Sequence, residues 1–130
     1  MILDTSFLID VIRDDTNARQ KVEEIEDAGV RQVIPAMAVQ ELYIGVGATE
    51  ALQRERNRVE AILNSRPIVP TTAEIARKAG LIDGQLRKNG KQIDVGDATI
   101  GATGLVLEEP VVTGNPDHFQ RIPSLAVETY

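Results

Sequence analysis

The sequence predicts an α/β fold, an α/β/α sandwich with a central parallel sheet of four to five short strands. Brief apolar runs recur at Met1–Leu3, Arg31–Pro35, Pro67–Pro70, Val111–Thr113 and Leu125–Val127. Between them lie segments whose apolar residues follow helical spacing, and that alternation is what parallel strands joined by helical crossovers require. The length, 130 residues, suits one domain spanning 1–130, long enough for a real core and too short for two.

The elements follow in order. Met1-Ile2-Leu3 ends at Asp4, and Phe7-Leu8-Ile9 to Val11-Ile12 continues with helical spacing, so a strand turns sharply into a helix. Asp15-Thr16-Asn17 offers cap residues for a helix through Val22, Ile25 and Ala28, which Gly29 stops. After the Arg31–Pro35 strand, Ala36 to about Gly47 is a helix, weakened at its end by Gly45 and Gly47. Ala48 to Ser65 is a charged helix burying Leu52, Val59, Ile62 and Leu63, and it pairs with its predecessor as a hairpin. Beyond the strand at Pro67–Pro70, Thr71 to Glu74 matches a capping box. The helix it opens runs through Ile75, Ala79, Ile82 and Leu86 to Asn89-Gly90. Asp94 to about Leu107 is an apolar helix, Val111–Thr113 a strand, Asn115 to Phe119 a short capped helix, and Leu125–Val127 a last strand.

Composition narrows the function. There is no cysteine, so disulfides, zinc ribbons and thiol nucleophiles are excluded together, in keeping with a reducing, cytoplasmic setting. No run of about 18 apolar residues occurs, and the first residues are not a basic segment leading an apolar one, so neither export nor a membrane span is expected. A net charge of −6 argues against broad attraction to a phosphate backbone. Clustered acids binding divalent cations would offset that charge locally, and a partner with a basic segment could dock on the acidic surface.

Sites of parallel sheets form beyond the carboxyl ends of the strands. Asp4 follows the first strand directly, and Asn115 and Asp117 follow the Val111–Thr113 strand, so these residues share a crevice if the two strands are neighbours. Glu41 and Asp97 lie in helices among apolar residues, where an acid is costly unless paired or metal-bound. Converging acids repel, and a hard divalent cation with oxygen ligands relieves the repulsion. Asp94 precedes Asp97 on the same helical face and could join as an outer member.

These residues also carry a resemblance. Leu3-Asp4-Thr5-Ser6-Phe7-Leu8-Ile9, Glu41-Leu42-Tyr43-Ile44-Gly45, Asp97-Ala98-Thr99-Ile100-Gly101-Ala102 and Val112-Thr113-Gly114-Asn115-Pro116-Asp117-His118-Phe119 resemble, in order and spacing, the four motifs of the PIN-domain family and of its VapC-like toxin branch. The resemblance implies a PIN-like fold and an endoribonuclease with Asp4, Glu41, Asp97 and Asp117 as its acids. Asp4 and Asp97 would hold Mg²⁺ or Mn²⁺, with Thr5, Ser6 and Asn115 arranging waters or carboxylates. It further implies a homodimer and a VapB-like antitoxin partner. The expected chemistry is hydrolysis of an RNA phosphodiester by a metal-activated water. Gly101 and Gly104 replace the family's usual alanines, at a cost in helix stability of about 1 kcal/mol each.

Each residue also has a plain reading. Asp4 suits an N-cap, and at Asp94 the cap reading prevails. Glu41 suits a solvated helix face, and Asn115-Pro116-Asp117 makes a tidy helix start. His118 lacks a companion nucleophile and reads as surface or structural, and Tyr43 as packing. Arg54, Arg56 and Arg58 read as solvated ion pairs, while Lys88 and Lys91 could approach RNA. A haloacid-dehalogenase-like phosphatase would need a second Asp where Ser6 stands. A non-catalytic binding module should have lost its acids, and an rRNA-processing nuclease remains an alternative within the family.

Overall fold

The computed structural model describes residues 1–130. Strands β1 (Ile2–Leu3), β2 (Ile34–Pro35), β3 (Ile68–Val69), β4 (Val111–Val112) and β5 (Val127–Glu128) alternate with seven helices. β1 pairs in parallel with β4, β4 with β5, and β2 with β3. A parallel bridge from Ile2 to Val33, with Leu3 N donating to Val33 O at 3.0 Å, joins the two groups in the order β3-β2-β1-β4-β5. The chain therefore winds outward one way through β2 and β3 and the other way through β4 and β5. The reversal falls between β1 and β4, where an open α/β sheet leaves a crevice beyond the strand ends.

Consecutive strand residues face opposite sides of a sheet. Ile2 and Leu3, and likewise Val111 and Val112, are all fully buried, so both faces of the sheet are covered and the sandwich is real. The core is aliphatic, with Phe7 and Phe119 its buried rings. No helix is long and apolar enough to cross a membrane.

The helices obey local rules. Asp4 caps α1 (Thr5–Ile12), and Asp15 caps α2 (Thr16–Asp27) by accepting from Ala18 N at 2.9 Å. Gly29, at φ +67°, ends α2 in the left-handed region glycine tolerates. α3 (Ala36–Ala48) packs on α4 (Leu52–Leu63), where Tyr43 donates to Glu60 across the hairpin, in keeping with a packing role for Tyr43. α5 (Ala73–Lys88) buries Ile75, Ala79, Ile82 and Leu86. α6 (Val95–Leu107) lies against α5 and meets β1 and β4, and α7 (Asp117–Gln120) follows β4.

Several boundaries differ from the sequence reading. α4 begins at Leu52, not Ala48, because Thr49 is extended and its hydroxyl accepts from Ala51 N at 3.2 Å, a local bond that competes with helix. Leu52, expected to be buried, is exposed in consequence. The cap of α5 is Thr72, which accepts from Ile75 N, so Thr71 and Glu74 form no capping box. α7 starts one residue late, with Pro116 at the cap position and Asn115 outside it. Ser124 adopts φ +66°, and the chain becomes strand only at Val127. Leu125, expected to be strand, instead packs on α6.

That packing explains the two glycines that depart from the family pattern. A Cβ at Gly101 would meet Ile122 Cδ1 at 2.4 Å, and one at Gly104 would meet the Glu109 carbonyl oxygen at 2.9 Å and Leu125 and Val111 carbons at 3.0 Å. The glycines let α6 lie close to β4 and the turn before β5. Their low helix propensity is offset by this close approach.

Candidate active site

The crevice between the ends of β1 and β4 is built around Asp4, which is buried. Register decides its partner. Leu3 pairs with Val112, so the next residues, Asp4 and Thr113, leave their strands side by side. Asp4 Oδ2 accepts from Ser6 Oγ at 2.6 Å and from Thr113 Oγ1 at 2.7 Å. Those hydroxyls in turn accept from Gly114 N at 3.0 Å and from Asn115 N at 2.9 Å. Two relays from backbone N–H through hydroxyl to carboxylate thus fix Asp4, while its Oδ1 accepts nothing.

Glu41 enters from α3. Its Oε1 accepts from Thr5 Oγ1 at 2.9 Å, a residue of the turn that Asp4 caps. A Cβ at Gly96 would lie 3.0 Å from Glu41 Oε2, so the absence of a side chain there is what lets the carboxylate sit against α6. Burial pushes the Glu41 carboxyl above its usual range, the bond from Thr5 opposes this, and the charges of Asp4, Asp97 and Asp94 add to the rise.

Asp97 stands in the first turn of α6, where an acid also favours the positive helix end. Its Oδ2 lies 2.7 Å from His118 Nδ1. Burial raises its carboxyl, the His118 contact opposes, and Asp4 and Asp94 reinforce the rise. Asp94 occupies the cap position of α6, yet its side chain makes no capping bond; it is largely exposed and lies 3.8 Å from His118. The cap expected of that side chain is absent.

The structure therefore brings together Asp4, Glu41 and Asp97, supported by Thr5 and Ser6, with Asp94 at the rim. It does not bring in Asp117, which is exposed and makes no side-chain hydrogen bond or ion pair, and Asn115 takes part through its backbone N–H only. His118, read from sequence as surface or structural, is the residue of α7 that meets Asp97, the contact expected of Asp117. In a four-residue helix with Phe119 buried, the residue beside the core anchor faces α6. Thr113 was also missed, although it follows β4 as directly as Asp4 follows β1.

Each of the three central carboxylates has one oxygen held by a protein donor and one without a hydrogen bond. Glu41 and Asp97 both feel the charge of Asp4, and such carboxylate oxygens are the donor chemistry of a hard divalent cation, while the ligand atoms of Asp94, Asp97 and His118 lie within 4.8 Å of one another. Beside Glu41 a groove of about 420 Å³ runs between α1, α3 and α4, with apolar Ile9, Leu42 and Val46 and basic Arg13 and Arg58 in its walls.

Comparison with known proteins identifies the family and the fold. A family model described as PIN domain matches residues 1–125. Ribonuclease VapC19 of Mycobacterium tuberculosis is 27% identical over 124 residues, 95% of this chain and 95% of that protein. Two solved structures share the fold closely. VapBC2 from Rickettsia felis, bound to a DNA fragment from its promoter, has a TM-score of 0.90 at 21% identity, covering 99% of this chain and 97% of that one. DNA-bound VapBC from Salmonella typhimurium has a TM-score of 0.88 at 24% identity, covering 98% and 96%.

Proposed function

Since the chain belongs to the PIN-domain family, we propose that it is a divalent-metal-dependent endoribonuclease, the toxin of a VapBC-type toxin–antitoxin pair. The observation that carries the reading is the trio of Asp4, Glu41 and Asp97, each with one anchored and one free carboxylate oxygen. The ribonuclease name of the relative and the VapBC complexes among the structural neighbours support the toxin assignment. The phosphatase reading falls away with family membership, and retention of the acids favours an active nuclease over a binding module.

Asp4 and Asp97 would hold Mg²⁺ or Mn²⁺, with Glu41 as a further ligand directly or through water, since Mg²⁺ keeps several waters. The bound ion supplies Lewis acidity and a water acidic enough to act as nucleophile near neutral pH. The residues of the chain do the rest. Thr5, Ser6 and Thr113 fix the carboxylates before substrate arrives, so little reorganisation accompanies reaction. Asp117 and Asn115 are exposed, and in this reading they contact substrate or its waters. No side chain serves as nucleophile, and the reaction ends with phosphodiester cleavage by water.

The partners follow the same reading. The protein acts in the cytoplasm as a homodimer, cuts RNA, and is restrained by a cognate antitoxin. The groove beside Glu41 suits a segment with apolar side chains along its length and charge at its end.

The test uses purified protein freed of antitoxin, incubated with total cellular RNA. Cleavage should require Mg²⁺ or Mn²⁺, stop with chelator, and vanish in Asp97→Asn while circular dichroism shows the fold retained. Cleavage that persists in the folded variant, or none by folded wild type across varied RNAs and salt, overturns the reading.

A further inference from the structure

The segment that follows β5 is tied to α1 and α2. Thr113 N donates to Glu128 O at 3.0 Å, continuing the β4–β5 ladder, and Lys21 Nζ of α2, on a nearly buried side chain, donates to Glu128 Oε1 at 2.8 Å. Two residues on, Tyr130 reaches α1. Its hydroxyl donates to Asp10 Oδ2 at 2.5 Å, and its ring meets buried Phe7 edge to face with centroids 5.0 Å apart. Burial, the bond to Asp10 and the charges of Asp10, Asp4 and Asp15 all push the phenol up, so at neutral pH it is a donor and never an anion.

Gly114 lies against that hydroxyl. A Cβ there would come within 2.4 Å of Tyr130 Oη, 3.1 Å of its Cζ and 3.3 Å of Asp10 Oδ2. Gly114 does not take the left-handed φ that calls for glycine, so the close approach of the tyrosine is what requires its bare Cα. Its N–H donates to Ser6 Oγ at 3.0 Å, and Ser6 Oγ donates to Asp4 Oδ2 at 2.6 Å. A chain of contacts thus leads from Tyr130 through Gly114 and Ser6 to Asp4. Gly114 and Asn115 are exposed, as residues of a mobile loop are, and the tyrosine stands as a fixed wall against them.

We propose that Tyr130 is a positioning residue of the nuclease: together with Asp10 it holds the Gly114 N–H on Ser6 and so keeps Asp4 in place for the ion. The proposal rests on the reading above, in that Asp4 is taken to hold the metal. A ring that only filled space against Phe7 would serve equally well without its oxygen.

The full chain, freed of antitoxin, carries the test. Tyr130→Phe keeps the ring on Phe7 and removes the hydroxyl, whereas Asp10→Ala removes the acceptor and leaves the ring alone. In the metal-free protein each should speed hydrogen exchange at the Gly114 amide at least about tenfold. With Mn²⁺ and an RNA that wild type cuts, each should lower kcat about five- to tenfold at unchanged KM. The double variant should lose no more than either single one. Gly114→Ala should be the most damaging, and adding Tyr130→Phe should return part of that loss, because the oxygen its Cβ meets is gone. Either of Tyr130→Phe and Asp10→Ala decides the matter by itself if the other fails to fold. Full activity in a folded variant, unchanged Gly114 exchange, or additive losses overturns the positioning role alone. Failure of wild type to bind Mn²⁺ or cut RNA overturns it together with the metal-dependent reading.

Discussion

Thr113→Val removes one hydroxyl with almost no change in shape, at a position fully buried beside buried Asp4. Two bonds go with it: the 2.7 Å donation to Asp4 Oδ2 and the 2.9 Å acceptance from Asn115 N. Ser6 still donates to Asp4, and Asn115 N–H lies near enough to the exposed loop to find water, so the loss is dominated by one charge-assisted bond. Such a bond is worth about 1.5–3 kcal/mol. For a chain of this size each kcal/mol moves the melting temperature by about 3–5 °C, so a fall of about 5–15 °C is expected. Thermal and urea unfolding of the metal-free protein measure it. A double-mutant cycle with Asp4→Ala supplies the control, because the hydroxyl should matter little once its acceptor is gone. Mn²⁺ affinity should fall about tenfold in Thr113→Val, as expected when a ligand loses the group that orients it. A cost under about 0.5 kcal/mol, or an undiminished cost in the Asp4→Ala background, would refute the relay through Thr113.

Two further outcomes follow from the same geometry. Burial and neighbouring carboxylates raise the Glu41 and Asp97 carboxyls above their ordinary values of 4.5 and 3.8. In the metal-free protein the native state then holds protons the unfolded chain has released. The stability this contributes is fully present below those ordinary values and is lost as pH rises through the raised ones. Scanning fluorimetry should find Mn²⁺ raising the melting temperature more at pH 7.5 than at pH 5; equal shifts would contradict the cause assigned. Gly104→Ala should lower stability by about 1–2 kcal/mol despite alanine's better helix propensity, since the Glu109 carbonyl that its Cβ would meet is backbone. Gly84→Ala in α5, where the added Cβ meets nothing within 4 Å, should raise it by up to about 1 kcal/mol. Chemical denaturation distinguishes the signs.

The sequence read most reliably where structure is set by neighbours along the chain. The buried face of α5 is the predicted set of Ile75, Ala79, Ile82 and Leu86, and Asp15 and Gly29 bound α2 as expected. Asp4, Glu41 and Asp97 were legible because an acid embedded among apolar residues, or ending an apolar strand, needs an explanation that burial alone does not supply. The boundary at Thr72 was not, because two adjacent threonines could each cap, nor was that at Leu52, where the Thr49 hydroxyl holds the backbone out of the helix.

Other features depended on distances between segments far apart in sequence. That Thr113 rather than Asn115 or Asp117 supports Asp4 follows from the β1–β4 register, which no single segment encodes. That His118 rather than Asp117 reaches Asp97 follows from how α7 docks through Phe119, since a step of one residue turns a helix by about 100°. Gly101 and Gly104 looked like costs in one helix and became the means by which α6 approaches Ile122, Leu125 and the Glu109 carbonyl. Periodicity and residue chemistry are local properties, so the sequence alone determined the alternating elements and the acids that needed a partner. Register and helix docking are set by packing among remote segments, so only the tertiary structure decided which side chains those acids met.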